Sequence, residues 1–495
     1  MSAYETLETR FADLSILYQV STILHWDGAV MMPTGGAEAR AGQLAMMASL
    51  QHARLTNPEI GDLLEQSAGE TLGDWQAANL REMRRDYNRA RAVPADLVDA
   101  YSRATSACEH RWREAKQADD YAAVLPLFQT VVDLTRDRAA ALGAALNLSP
   151  YDALLDGFEP DLRAADIDPV FDAYAAFLPS VLDDILARQA AAGPAAPPTV
   201  DFPIDKQKAL VRDLAETVGF DFEQGRVDES AHPFSTGYAG DRRITTGFRE
   251  EDPGFAIMAV LHETGHSIYE QNLPADWCNQ PVGQARGMAL HESQSLLIEM
   301  QACRSDAFLS YLGPKLARAF GDDAAFEPGN LGRRYRHVDR SLIRVDADEA
   351  TYPAHVILRT RLERAILSGD LALADLPGAW ADGLEALLSI RPPDDRRGCL
   401  QDIHWYDGGF GYFPTYTLGA MAAAQLFQAA KAADSEIEPG LERGDFSPLR
   451  SWLRENVHRH GSRHTTAEVL TKATGRPLDP AAFQSHIRTR YLGDS

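Results

Sequence analysis

Two histidines and a glutamate stand close together in His262-Glu263-Thr264-Gly265-His266. On a helix, residues four apart share a face, so both imidazoles can reach one ion. Glu263 lies on the same turn as His262, near that ion without ligating it. A divalent cation held by neutral imidazole and carboxylate ligands, with one position left open, lowers the pKa of a water molecule towards neutrality. A carboxylate beside it can take the proton and pass it to a leaving amine. The pattern therefore suits hydrolysis, with Glu263 as general base. A third ligand is still required. Glu292, in Ala289-Leu290-His291-Glu292-Ser293-Gln294, lies 292 − 262 = 30 residues beyond the first histidine. That leaves room for a turn and a second, antiparallel helix. His291 and Glu299 compete with Glu292 for the role.

Three specified residues are a modest constraint, and short motifs match by accident. The surroundings strengthen this one. Asp252 suits a helix N-cap and Pro253 the first helical position, and Phe255 to Tyr269 then runs without proline. Phe255, Ile257, Met258, Val260, Leu261 and Ile268 make the helix strongly apolar, which predicts burial. Two histidines and a glutamate in a buried helix need a polar partner.

Most other segments also read as helix. Residues 35–145 are rich in Ala, Leu, Arg and Glu, and 170–190, 296–320 and 354–390 behave likewise. Residues 231–248 look extended and predict a short hairpin or small sheet just before the motif helix. Residues 398–416 are Gly- and aromatic-rich. Length alone would allow about three domains of roughly 150 residues. The one clear break, Ala190 to Pro198, reads as a surface loop because helical character continues on both sides. One domain over 1–495 is expected.

Hydrophobic residues make up 45% and charged residues 24%, as in an ordinary globular protein. Lys+Arg number 48 and Asp+Glu 72, so the net charge is 48 − 72 = −24. Nucleic acid and anionic membrane surfaces are thereby disfavoured as partners. Cys108, Cys278, Cys303 and Cys399 form no C-x-x-C pair and no disulfide framework. The first 20 residues carry Glu5, Glu8 and Asp13 and no apolar core, so no secretory signal is expected. No run of 18 apolar residues exists. A cytoplasmic protein is expected.

Further motifs occur in a telling order: His232-Pro233-Phe234, then Asp241-Arg242-Arg243-Ile244-Thr245, then the His262 motif, then His291-Glu292-Ser293-Gln294. Ile343-Arg344, Ala347-Asp348-Glu349 and Thr351-Tyr352 follow. Gly398 to Trp405, with Gln401, Asp402 and His404, and Gly411 to Tyr416 complete the series. Trp26-Asp27 and Asn456 to Gly461 match too. In these stretches the chain resembles the thermostable carboxypeptidases of metallopeptidase family M32, over nearly its whole length. The resemblance implies release of C-terminal residues from peptides with broad side-chain tolerance. It implies one zinc per chain, with cobalt able to substitute, and a homodimer. The implied fold is mainly α, a large helical peptidase with a deep groove, similar to neurolysin and angiotensin-converting enzyme.

Roles follow for several residues. Arg344 matches the family position that contacts the substrate's C-terminal carboxylate, a task suited to a planar guanidinium. Arg243 looks like part of the wall closing the groove. The competing structural readings pair Arg243 with Asp241, and Arg344 with Asp346 or Asp348. A developing oxyanion needs a donor besides the metal. Tyr416 is the first candidate, His232 the second and Tyr412 a fallback. By resemblance, Gln401, Asp402 and His404 sit at the closed end of the groove, unless they form a buried network without substrate contact. In one respect the chain departs from many zinc peptidases. They place a carboxylate four residues after the glutamate ligand to orient a ligand histidine. Here that position is Leu296, so the orienting group must come from elsewhere.

An endopeptidase with an open-ended groove would use the same chemistry, and a blocked C-terminus separates the two. A non-catalytic metal scaffold would have no use for Glu263.

Overall fold

A computed structural model describes residues 1–493. Helices dominate, and a three-stranded sheet lies just ahead of the motif helix. The first helix, Ala3–Val30, opens on a capping box in which Ser2 and Glu5 each satisfy the other's backbone N–H. It buries Tyr4, Leu7, Phe11 and Trp26. No helix among the described residues is long and apolar enough to cross a membrane.

The strands are β1 (Gly225–Glu229), β2 (Ser235–Tyr238) and β3 (Asp241–Thr246). Strand β3 is central, antiparallel to β2 and parallel to β1. The β2–β3 turn is Ala239-Gly240, with Gly240 at φ +81°, a conformation glycine adopts without strain. This is the hairpin expected within 231–248. Strand β1 was not expected. Gly225-Arg226-Val227-Asp228-Glu229 has one large apolar residue and no alternation, so only its pairing with β3 makes it a strand.

The motif helix runs Pro253–Gln271, with the Asp252 side chain accepting from the Gly254 N–H at 2.9 Å. Its apolar face (Ala256, Ile257, Val260, Leu261, Ile268) is almost wholly buried. Each fully buried large apolar side chain contributes about 1.5–3 kcal/mol. That burial offsets the cost of drawing His262, Glu263 and His266 out of water. Ser235 Oγ lies 3.1 Å from Ser267 Oγ, which ties β2 to the helix.

Two large hydrophobic cores meet at the site. The ligand helix Met288–Leu296 gives Ala289 to one and Leu290 to the other. The backing helix Pro414–Ala433 likewise gives Leu418 and Met421 to the first core, and Ala422, Ala423 and Leu426 to the second. Glycines allow these helices to touch. A Cβ on Gly265 would stand 2.6 Å from both the Gln294 carbonyl oxygen and Ser295 Cα. A Cβ on Gly419 would stand 2.8 Å from Glu292 Cβ. The first obstruction is backbone, which cannot swing aside. Gly265→Ala is therefore expected to destabilise the protein by about 1–3 kcal/mol and to lower its melting temperature; an unchanged melting curve would show that the helices can part freely.

Candidate metal centre

The glycine contact at Gly265 brings the ligand helix across the motif helix. Among the described residues, one set of ligand atoms converges: His262, His266 and Glu292 each offer one atom, all within 4.8 Å of one another. Glu292 Oε2 lies 3.8 Å from His262 Nε2 and 3.4 Å from His266 Nε2. Ligand atoms on a tetrahedral zinc, at about 2.0–2.2 Å from the ion, stand about 3.3–3.6 Å apart. The set fits such an ion, and two imidazoles with one carboxylate leave a position open. The three side chains remain 13–22% exposed, so the site opens to solvent.

The ligand helix has no side-chain cap of its own, since Gly287 precedes it. Glu159, distant in sequence, supplies the cap: it is buried and accepts the Ala289 N–H at 2.7 Å. Burial pushes its carboxyl up to about 7, against the hydrogen bonds from Thr466 and Ala289.

Each of the two converging histidines has a partner on its other nitrogen. His262 Nδ1 lies 3.0 Å from Glu299 Oε2, and Glu299 Oε1 accepts from Arg304 at 2.6 Å. Glu299 sits seven residues after Glu292 in a π-helical turn, Leu297–Ala302, a geometry that recurs at functional sites. It is a buried carboxylate set against His262 Nδ1, where the position four residues after Glu292 offers only Leu296. Its position in Leu297-Ile298-Glu299, amid apolar residues, was the available signal, because a buried acid requires partners. His266 Nδ1 meets His291 Nδ1 instead, at 2.6 Å.

Charge follows these partners. Burial alone would lower His262, but Glu292, Glu299 and Glu263 outweigh it and push it up to about 10. Burial lowers His266 to about 4; Glu292 opposes this, and the neighbouring His291 and His262 reinforce it. Burial would raise Glu292, but His262 and His266 hold it at about 2. The surplus of carboxylates around His262 makes the site attractive to a cation.

Glu263 is 6% exposed, and no described residue hydrogen-bonds its carboxylate. Burial pushes it up to about 7, with His262 opposing.

Beyond Glu292 lies an aromatic and cationic cluster. Arg344 Nε and Nη2 donate to the two Asp402 oxygens at 2.7 and 2.8 Å, and Nη1 donates to Tyr352 Oη at 2.6 Å. Its partner is thus Asp402, not Asp346 or Asp348. Arg359 donates to Asp402 at 2.9 Å and to Gln401 at 2.8 Å. The Gln401 amide also donates to the Leu342 and Arg397 carbonyls. His404 bridges Asp402, at 3.1 Å, and Tyr416 Oη, at 3.3 Å. Burial pushes the Tyr416 phenol far up and the Tyr412 phenol up to about 12. Arg243 lies on β3 and His232 on the loop before β2. Arg243 forks onto Asp241 at 2.8 and 2.7 Å and lies 4.1 Å over the Trp26 ring. It thereby fastens the first helix to the sheet. His232 is exposed on the β1–β2 loop.

The model of the carboxypeptidase Taq (M32) metallopeptidase family matches residues 6–491. The chain belongs to the M32 family. Thermostable carboxypeptidase 1 of Thermus thermophilus is 37% identical over 99% of this M32 chain and 98% of its own. Carboxypeptidase 1 of Bacillus subtilis is 33% identical over 98% of each. In structure, this M32 member is similar to Trypanosoma cruzi metallocarboxypeptidase 1, with a TM-score of 0.96 and 36% identity over 99% of both chains. The Pyrococcus furiosus carboxypeptidase gives 0.95 and 32%, again over 99% of both. This M32 chain is therefore a metallocarboxypeptidase, a hydrolase whose substrates are peptides.

Proposed function

We propose that this M32 enzyme is a zinc-dependent carboxypeptidase releasing C-terminal residues with broad side-chain tolerance, with Glu263 as general base. The observation that carries the reading is the convergence of His262, His266 and Glu292 beside a Glu263 carboxylate that no described residue hydrogen-bonds. Zinc bound there, or cobalt in its place, supplies Lewis acidity and lowers the pKa of a water. Glu263, with its lone pairs free, takes the water's proton and delivers it to the departing amine nitrogen. The Tyr416 hydroxyl, backed by His404, donates to the developing oxyanion. His232, exposed and so free to meet a substrate, is the second candidate. Arg344 receives the terminal carboxylate, and Gln401, Asp402 and His404 hold that end of the site rigid. Arg243 forms part of the wall.

The same reading takes 1–495 as one domain, consistent with a family match that spans 6–491. It places the enzyme in the cytoplasm, in keeping with four unpaired cysteines. The homodimer rests on the family resemblance.

The test compares one peptide with a free and an amidated C-terminus by mass spectrometry, with zinc and with chelator. Stepwise loss from the free peptide alone, abolished by chelator, is the expected result. Internal cuts in the amidated peptide would move the assignment to an endopeptidase.

A further inference from the structure

His262 and His266 are equivalent in the motif but not in their surroundings. His262 has a carboxylate on its second nitrogen. His266 has His291, at 2.6 Å from Nδ1 to Nδ1. The chain of contacts continues. His291 Nε2 lies 3.0 Å from Glu270 Oε1. Glu270 Oε2 pairs with Arg242 Nη2 at 2.8 Å, and Arg242 Nη1 donates to the Gly237 carbonyl at 2.9 Å. Arg242 is 7% exposed, so the row ends in a buried cation anchored on β2. His291 itself lies outside the converging ligand set.

With Glu270 ionised and His291 a neutral imidazole, one proton arrangement satisfies the row from Arg242 to His266. The Glu270 carboxylate can only accept, so His291 carries its proton on Nε2. His291 Nδ1 then holds a lone pair. Two nitrogens 2.6 Å apart need one proton between them. That proton belongs to His266 Nδ1. His266 Nε2 is left bare, on the side facing Glu292. The reverse arrangement needs a doubly protonated His291 that donates to His266 Nδ1; it would place the His266 proton on Nε2 and block the nitrogen a metal needs.

We propose that His291 is a positioning residue for the metal: backed by Glu270 and Arg242, it holds His266 in the Nδ1–H tautomer with Nε2 free to ligate. The inference rests on reading His262, His266 and Glu292 as the ligands. The orienting partners of ligand histidines are worth about 10- to 100-fold in metal affinity. Glutamine is the informative replacement. Its amide oxygen accepts and its amide nitrogen donates, the same polarity as His291 in this row. Leucine fills similar space with neither.

The experiment measures zinc affinity by competition with a chromophoric chelator, on metal-free wild type, His291→Gln and His291→Leu, together with each apoprotein's melting curve. His291→Leu is expected to bind zinc about 10- to 100-fold more weakly. His291→Gln is expected to stay within about threefold of wild type, since it restores both hydrogen bonds. Wild-type affinity in the leucine variant would overturn the proposal. So would a glutamine variant as weak as the leucine one, which would make His291 a ligand or a shape-filler. Should His291→Leu fail to fold, nitrogen-15 histidine spectra of the wild-type apoprotein decide: His266 must show a protonated Nδ1, and a predominant Nε2–H form would refute the idea. Absence of stoichiometric zinc in wild type would instead count against the ligand assignment itself.

Discussion

Glu263→Gln is expected to keep a full complement of zinc and to lose turnover by at least about 10²- to 10⁴-fold, the usual worth of a positioned general base. The amide has the shape of the carboxylate but cannot take a proton from water. Loss through misfolding is a weak alternative here. No described residue hydrogen-bonds the Glu263 carboxylate, so the substitution leaves no partner stranded among them. His262, His266 and Glu292 keep their own contacts through Glu299, His291 and Ser295. Burial by itself brings Glu263 up to about 7, close to where a base works best at neutral pH. A divalent cation held by His262, His266 and Glu292 would draw that value back down and keep the carboxylate ionised. Metal analysis and steady-state kinetics on a free peptide check the pair of outcomes. A variant that retains both zinc and turnover would remove Glu263 as the base, and a variant that loses zinc would point to a role in shaping the site.

What could be read from sequence was local. The motif helix announced its own start through Asp252 and Pro253, and its apolar face announced its burial. Two histidines four apart require only helical geometry to share a face. Glu292 followed from the distance needed to turn back antiparallel. The contacts that escaped the sequence depend on how helices approach. Glu299 reaches His262 because Gly265 and Gly419 admit the ligand helix so closely, and because a π turn follows it. Arg344 had acids nearby in Asp346 and Asp348, yet it chose Asp402, 58 residues away, since residues 398–413 fold back beneath it. Spacing along the chain says nothing of such a choice. Strand β1 escaped for a related reason: its residues have little strand character, and its partner lies beyond β2 in the chain.

The Asp402 pairing changes what an Arg344 substitution should do. A guanidinium has five N–H donors. Three are taken by Asp402 and Tyr352, which leaves two without a partner among the described residues. Two is the number a carboxylate accepts from an arginine fork. Asp402 thus fixes the orientation of Arg344 without exhausting it. Arg344→Ala is expected to cost about 2–5 kcal/mol on a peptide with a free C-terminus, roughly 30- to 5000-fold in kcat/KM. The small residual rate on an amidated peptide should scarcely change, so the preference for a free carboxylate collapses. Asp402 is not stranded in the variant, because Arg359 and His404 still hold it, and the fold should survive. Arg344→Lys keeps a charge but loses the planar fork, so an intermediate preference is expected. Kinetics on matched free and amidated peptides decide the matter. Equal losses on both would mean that Arg344 acts only through Asp402 and Tyr352, as a brace for the tyrosines beside Glu292, and that the terminal carboxylate is read elsewhere.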